Sequence, residues 1–218
     1  MDHVQGFWKP TGLTSFDVIR KLKTYIKNVK IGHSGTLDPF AEGVLIICFG
    51  KATSQVERLM NLNKTYIGTI QLGETTDTLD TEGKITDSQP IPAISDELIN
   101  SVLSEFTGDI SQIPPMYSAL KKNGVPLYKL ARKGKIVPRE PRKISIYKNR
   151  LISYSRDKIT FEVECGRGTY IRTLASDISI KLGTVGYLIK LVRTKIGIFD
   201  ETNSIRVENI PQWISTID

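Results

Sequence analysis

The chain has 218 residues and 39% hydrophobic content, enough to bury a core in one large domain or two small ones. It contains no run of about eighteen apolar residues, and its opening MDHVQGFWKP lacks a charged-then-apolar leader, so neither a membrane span nor a secretory signal is expected and the protein is placed in the cytoplasm. Net charge is +7, from 30 Lys and Arg against 23 Asp and Glu.

Along the chain, the first signal is an amphipathic helix. Thr14 or Ser15 serves as N-cap, Phe16, Ile19, Leu22 and Ile26 recur at helical spacing, and Arg20, Lys21, Lys23 and Lys27 lie on the other side. The run from Gly43 to Gly50 (GVLIICFG) reads as a buried strand, followed by a short helix over Ala52 to Leu62 and an alternating strand from Lys64 to Gly73. From Glu74 to Asp109 there are nine acids against Lys84 alone. Asp77, Asp80 and Glu82 lack the full calcium-loop pattern, so this reads as a solvated acidic loop and helix without a metal.

The segment from Pro114 to Arg150 reverses that balance. Eleven basic residues, Lys121, Lys122, Arg132 and Lys133 among them, face Glu140 alone, giving +10 and leaving −3 for the rest. Tyr117, Tyr128 and Tyr147 are interleaved with these cations. A charge run is ordinarily a solvated face, but concentration of the whole excess in one aromatic-bearing segment points to nucleic acid. Ile144 to Cys165 then reads as two strands joined near Arg156 and Asp157, and Thr169 to Leu182 as a helix burying Ile171, Leu174, Ala175, Ile178 and Leu182, stopped by Gly183. Helices and strands mix without βαβ alternation, which predicts an α+β fold on a mainly antiparallel sheet. Cys48 and Cys165 sit in apolar, strand-like contexts and are expected as buried free thiols; with only His3 and His33 besides, no zinc set can be assembled.

Three strings carry possible chemistry. In GHSGTLDPFAEGVL (Gly32 to Leu45), Asp38 before Pro39 is by itself a turn signal. Yet Gly32, Gly35 and Gly43 let backbone approach a ligand closely, and a carboxylate on a loop at the edge of a sheet suits a nucleophile or base. In GRGTYIRTLASDIS, Arg172 occupies the first turn of a helix, where a cation opposes the macrodipole and benefits from an anionic partner. That partner is Asp38, a phosphate, or simply a nearby carbonyl or acid such as Asp177. Tyr66, in KTY, shares a strand face with Gly68, Ile70 and Leu72, the ordinary place of a core tyrosine.

KPTGLTS, GHSGTLDPFAEGVL, KTY, PPMYSALK, GRGTYIRTL and LGTVGYLIKLVRTKIGIF, occurring in that order, resemble the bacterial tRNA pseudouridine synthases of the TruB type over nearly the whole chain. The resemblance implies the pseudouridine synthase fold, a twisted, mainly antiparallel mixed sheet with flanking helices. It also implies one catalytic domain over residues 1–218, with an RNA-clamping basic insertion around 114–143. The implied activity is isomerisation of a uridine in the T arm of tRNA to pseudouridine, by base flipping and without a cofactor or metal.

By the same resemblance, Asp38 is the catalytic aspartate, Tyr66 stacks on the target uracil and is a candidate to take a proton in the closing step, and Arg172 pairs with the aspartate. His33 enters the space left by flipped nucleotides, although a lone histidine in a glycine-rich turn otherwise reads as a surface residue. Lys9 supports the active-site loop, and Leu188 is an apolar contact to the flipped base. The expected partner is the tRNA T stem-loop, bound by a monomer without guide RNA. Two departures stand out: family members usually continue into a PUA-type module, whereas this chain stops about twenty residues after Phe199, and Val192 stands where the family often has arginine. The expectation is therefore a short form lacking that module. An idle RNA-binding or RNA-folding module and a guide-dependent synthase are the competing readings, and a small-molecule hydrolase using Asp38 is a third that fits the +10 segment poorly.

Overall fold

The computed structural model describes residues 2–216 and divides into two compact units, Met1–Ile67 with Lys190–Asp218, and Gly68–Ile189.

The first unit begins with β1 (His3–Lys9), α1 (Ser15–Tyr25), β2 (Ile31–His33) and β3 (Glu42–Phe49). Seven consecutive residues of β3 are buried, which is why it reads as an unbroken apolar run and not as an alternation. Leu45, Ile47 and Phe49 join Phe7 and the α1 residues Val18, Ile19 and Leu22 in one cluster. Val44, Ile46 and Cys48 join Trp8, Leu59 and Ile196 in another. The start of α1 is set by a reciprocal capping box: Thr14 Oγ1 accepts from the Asp17 amide at 3.1 Å, and the Asp17 carboxylate accepts from the Thr14 amide at 2.8 Å. With Ser15 turned inward, the buried set is Ser15, Val18, Ile19 and Leu22. Phe16, expected in the core, is instead 58% exposed, with the Arg20 guanidinium 5.7 Å from its ring centroid.

The expected helix over Ala52 to Leu62 is also shorter than its pattern. Gly50–Gln55 forms a 3-10 turn, and α2 covers only Val56–Met60. Thr53 and Ser54 hydroxyls donate back to the carbonyls of Gly50 and Lys51, each at 2.8 Å, competing with the α ladder. β4 (Lys64–Leu72) alternates as expected, with Lys64, Tyr66, Gly68, Ile70 and Leu72 buried, and carries the chain into the second unit.

There a two-stranded hairpin of β5 (Glu74–Thr76) and β6 (Ile85–Ser88) precedes α3 (Asp96–Glu105), which is N-capped by Ser95. Next come β7 (Gly108–Gln112), the small hairpin β8 (Lys121–Lys122) and β9 (Val125–Pro126), and α4 (Leu127–Ala131). β10 (Arg142–Ser155) and β11 (Lys158–Cys165) are the expected strand pair, followed by α5 (Ile171–Lys181) and β12 (Gly186–Ile196). β11, β10 and β7 are consecutive in the sheet and antiparallel. Gln112 lies opposite Arg142, so residues 113–141 leave and rejoin the sheet at neighbouring strand ends. Gln112 is buried, and its side-chain amide closes on Tyr170 from both sides, accepting from its N–H at 2.8 Å and donating to its carbonyl at 3.1 Å.

The chain re-enters the first unit along β12 and adds β13 (Phe199–Asp200), β14 (Ile205–Arg206) and α6 (Ile210–Ile214). There β14 and β12 run parallel to β1 and β3 respectively, while β1 and β3 are antiparallel. A mixed, mostly antiparallel sheet with flanking helices is the α+β architecture expected. Cys48 and Cys165 are free and buried. Among the described residues no helix is long and apolar enough to cross a membrane.

α5 buries the five expected apolar positions, with Arg172, Thr173 and Ser179 besides. Its Asp177 is partly buried, and desolvation pushes that carboxyl up from 3.8 to about 6. A folded pKa above the unfolded one contributes stability that is complete below the unfolded pKa and lost as pH rises through the folded one. Asp177→Asn should therefore stabilise the protein more at about pH 7.5 than at about pH 4, by about 1 kcal/mol after discounting for solvent screening. Thermal melts of both proteins at both pH values measure it, and equal gains at the two would show that the carboxyl does not titrate there.

Candidate active site

Asp38 is half-buried on the loop between β2 and β3. The peptide groups around it are held from three directions. Lys9, at the end of β1, is fully buried, and its Nζ donates to the carbonyls of Ala41 at 2.6 Å, Leu13 at 2.7 Å and Pro10 at 2.9 Å, with Pro39 O at 3.4 Å. Ser15 Oγ, on the first residue of α1, accepts from Leu37 N at 2.9 Å and lies 3.2 Å from Leu37 O. The Gly12 amide donates to Pro39 O at 2.8 Å. From β12, Arg193 is 1% exposed and sends Nε to Val44 O at 2.7 Å, Nη1 to Thr36 O at 3.2 Å and Nη2 to Gly35 O at 3.3 Å. Buried cations are tolerated only where their N–H groups are satisfied, and here the satisfying carbonyls include those of Gly35, Thr36, Pro39 and Ala41 on either side of Asp38. The carboxylate thus rides on backbone that has little freedom to move.

Arg193 is not among the residues that the sequence marks as candidates, although its neighbour Val192 is. The available signal was a charged residue inside an apolar strand pattern, blurred because the inward positions of β12 change phase between Leu188 and Leu191. Gly43, opposite Arg193 in the parallel β3–β12 pairing, has φ +122°, and a Cβ there would lie 2.2 Å from Arg193 O. His33 ends β2, paired with Ile47, and is half-buried where its turn context suggested surface. Burial, and next the Arg193 guanidinium, lower its pKa, so the imidazole is neutral at pH 7. Tyr66 is 8% exposed on β4.

In the second unit Arg172 gathers three stretches of chain. It is buried, with Nη1 2.8 Å from Thr78 O and 3.4 Å from Asp80 Oδ2, and Nη2 2.8 Å from Tyr117 O. The acid facing it inside this unit is Asp80, not Asp177. Asp80 corrects the reading of its segment as solvated: it is 2% exposed, and Oδ1 accepts from Thr78 Oγ1 at 2.6 Å and from the Glu82 amide at 2.9 Å. Leu79 beside it has φ +62°, a left-handed conformation uncommon for leucine. Leu188 is fully buried, donates its amide to Leu79 O at 3.1 Å and forms a parallel bridge with Asp80. Among the described residues no cluster of three or more His, Cys, Asp or Glu could hold a metal.

The insertion places its cations outward. Lys121, Lys122, Arg132 and Lys133 are all exposed. The Arg132 guanidinium sits 5.5 Å from the Tyr128 ring centroid, and Lys122 Nζ donates to Pro138 O at 2.8 Å.

The family model for the N-terminal domain of TruB family pseudouridylate synthases matches residues 22–171. The chain belongs to the TruB family. It is 49% identical over 203 residues to the tRNA pseudouridine synthase B of Francisella philomiragia, covering 93% of this chain and 67% of that one. The tRNA pseudouridine synthase B of Clostridium acetobutylicum is 46% identical over 96% of this chain and 72% of its own. Among solved structures, a chain of a Cbf5–Nop10–Gar1 complex superposes with a TM-score of 0.75 at 28% identity, and one of an H/ACA RNP bound to a substrate RNA containing 2′-deoxyuridine with 0.71 at 25%. Each alignment covers 99% of this chain, which spans 56% and 55% of those two, so this TruB-family chain corresponds to about half their length.

Proposed function

We propose that this chain isomerises a uridine in the T arm of tRNA to pseudouridine, with Asp38 as the catalytic carboxylate. The observation that carries the reading is the loop of Asp38, braced by Lys9, Ser15 and Arg193 in a chain of the TruB family. The reaction breaks the N1–C1′ bond of the nucleotide, turns the uracil and joins C5 to C1′; the C5 proton is lost and N1 is reprotonated. Atoms and electrons balance within the substrate, so no redox or group-carrying cofactor is called for. What the reaction needs from protein is a fixed carboxylate at the ribose and base and an enclosure that retains the detached uracil. Tyr66 is assigned to stacking on that uracil and to the closing proton transfer, Leu188 to apolar contact with it, and Arg172 to the cation of the site. His33, neutral at pH 7, is suited to fill an apolar gap in a base stack, and extruding the target nucleotide costs a few kcal/mol of unstacking.

The deciding experiment incubates the protein with unmodified tRNA carrying tritium at C5 of uridine, without guide RNA, and measures tritium release and the position modified. Release from a T-arm uridine is expected. No release without guide RNA, but release with one, would favour the guide-dependent reading.

The insertion is assigned to phosphate contacts. Neutralising Lys121, Lys122, Arg132 and Lys133 together should weaken tRNA binding and flatten its salt dependence, each lost contact lowering the slope of log K against log salt by up to about 0.9. An unchanged slope would make the segment a solvated face.

A further inference from the structure

Arg172 is the second residue of α5, a helix that begins at Tyr170 without a side-chain cap. What fixes that end is the stretch 112–117 of the same unit, where the chain leaves β7. Gln112, the last residue of β7, is 2% exposed; its Oε1 accepts from the Tyr170 amide at 2.8 Å and its Nε2 donates to the Tyr170 carbonyl at 3.1 Å. That carbonyl also accepts from Leu174 N at 3.0 Å, so the first helical bond of α5 and the Gln112 amide meet on one atom. Turning the Gln112 amide over would set donor against donor and acceptor against acceptor, which leaves it one orientation.

Further along, Tyr117 reaches the other end of the arginine. Its carbonyl accepts from Arg172 Nη2 at 2.8 Å, and its hydroxyl donates to Asp77 Oδ2 at 3.2 Å. Asp77 precedes Thr78, whose carbonyl accepts from Arg172 Nη1 at 2.8 Å, and Asp77 Oδ1 accepts from the Lys84 amide at 2.9 Å. Arg172, Tyr117, Asp77 and Thr78 therefore close a ring: two carbonyls grip the guanidinium fork, and the phenol ties together the two chain segments that supply them. Desolvation, and next the Asp77 carboxylate, push the pKa of that phenol up, so it keeps the proton it donates.

We propose that Gln112 and Tyr117 are positioning residues for pseudouridine formation: Gln112 sets the start of α5, Tyr117 sets the carbonyl against Nη2, and together they fix where Arg172 presents its charge. The proposal rests on the assignment of Arg172 to the site, made above. A guanidinium is a rigid planar fork whose worth depends on its direction, and small misplacements of a site group cost rate more than binding. Neither residue has to touch substrate, because the effect passes through Arg172.

The test measures tritium release from C5-labelled tRNA by the full chain as parent, Q112M, Y117F, R172K and the double variants Q112M/R172K and Y117F/R172K. Q112M should lower kcat at least about tenfold and Y117F about fivefold, each with KM within about twofold of the parent. In the R172K background, which has already lost the fork, each should cost less than about twofold further, whereas damage unrelated to the arginine would multiply. Parental kcat in the single variants, or losses that multiply in the double ones, would overturn the proposal. Should Q112M fail to fold, Y117F decides alone, since its hydroxyl lies at the surface. The ¹⁵N resonance of Arg172 Nε, followed without substrate, should move in every folded single variant at positions 112 and 117, and a resonance that stays put would overturn the proposal whatever the activity. If the resonance moves but R172K keeps parental kcat, the assignment of Arg172 to the reaction falls, while its placement by Gln112 and Tyr117 stands.

Discussion

Replacing Asp38 by asparagine should abolish pseudouridine formation while leaving tRNA affinity within about tenfold of the parent, a difference of roughly 1.4 kcal/mol. Asparagine has nearly the same shape, and the carbonyls on either side of position 38 would still be held by Lys9, Ser15 and Arg193, so the loop should keep its course. What disappears is the negative charge and the nucleophilic or basic oxygen, for which no other group substitutes in a cofactor-free isomerisation. Affinity should survive because phosphate contacts dominate RNA binding and the cations that make them lie elsewhere. Tritium release and filter binding on one protein preparation measure both quantities. Pseudouridine formed by a clean Asp38→Asn protein at even a hundredth of the parental rate would remove Asp38 from the chemistry.

The second large effect is on stability. Gly43→Ala should destabilise the fold by about 3–5 kcal/mol, a large share of the 5–15 kcal/mol typical of a domain. Two costs add here. The backbone at φ +122° disfavours any side chain, and the new Cβ would lie 2.2 Å from Arg193 O and 2.7 Å from Arg193 N, so β12 must move away from β3. Gly35→Ala is the matched control: its φ of +94° is also left-handed, but nothing lies within 4 Å of an added Cβ, so only backbone strain of about 1–2 kcal/mol should appear. Urea unfolding of the three proteins compares them. Equal midpoints for the two variants would mean that β3 and β12 yield without cost. Because displacement of Arg193 would also release its bonds to Thr36 and Gly35, Gly43→Ala should lose activity in excess of its unfolded fraction.

What could be read from the amino-acid order was whatever is decided locally. The alternation of β4, the apolar face of α5 and the length of β3 depend on neighbours within a few residues, and those expectations stand in the structure. Even there α1 turns Ser15 inward with Val18, Ile19 and Leu22 and leaves Phe16 exposed. Buried polar residues were the blind spot. Arg193 meets Val44 across 149 positions, Gln112 meets Tyr170 across 58, and Asp80 lies in a stretch whose composition suggests solvent. Their partners are mostly backbone carbonyls and amides, which every residue carries, so no pattern of side chains announces the match. The glycine-rich setting and the family resemblance single out Asp38 as a candidate; the bracing of its loop by Lys9, Ser15 and Arg193 exists only in three dimensions.

The departure of the chain at Gln112 and its return at Arg142, opposite each other on adjacent strands, bears on how such a protein can change over time. An excursion with its two ends already held together adds closure entropy only logarithmically with length, about 0.6 kcal/mol per doubling. Residues can be gained, trimmed or exchanged between these two points without the sheet having to re-register. The basic surface of this excursion can therefore drift at little cost to the framework it hangs from, whereas the braced loop around Asp38 has almost no such latitude.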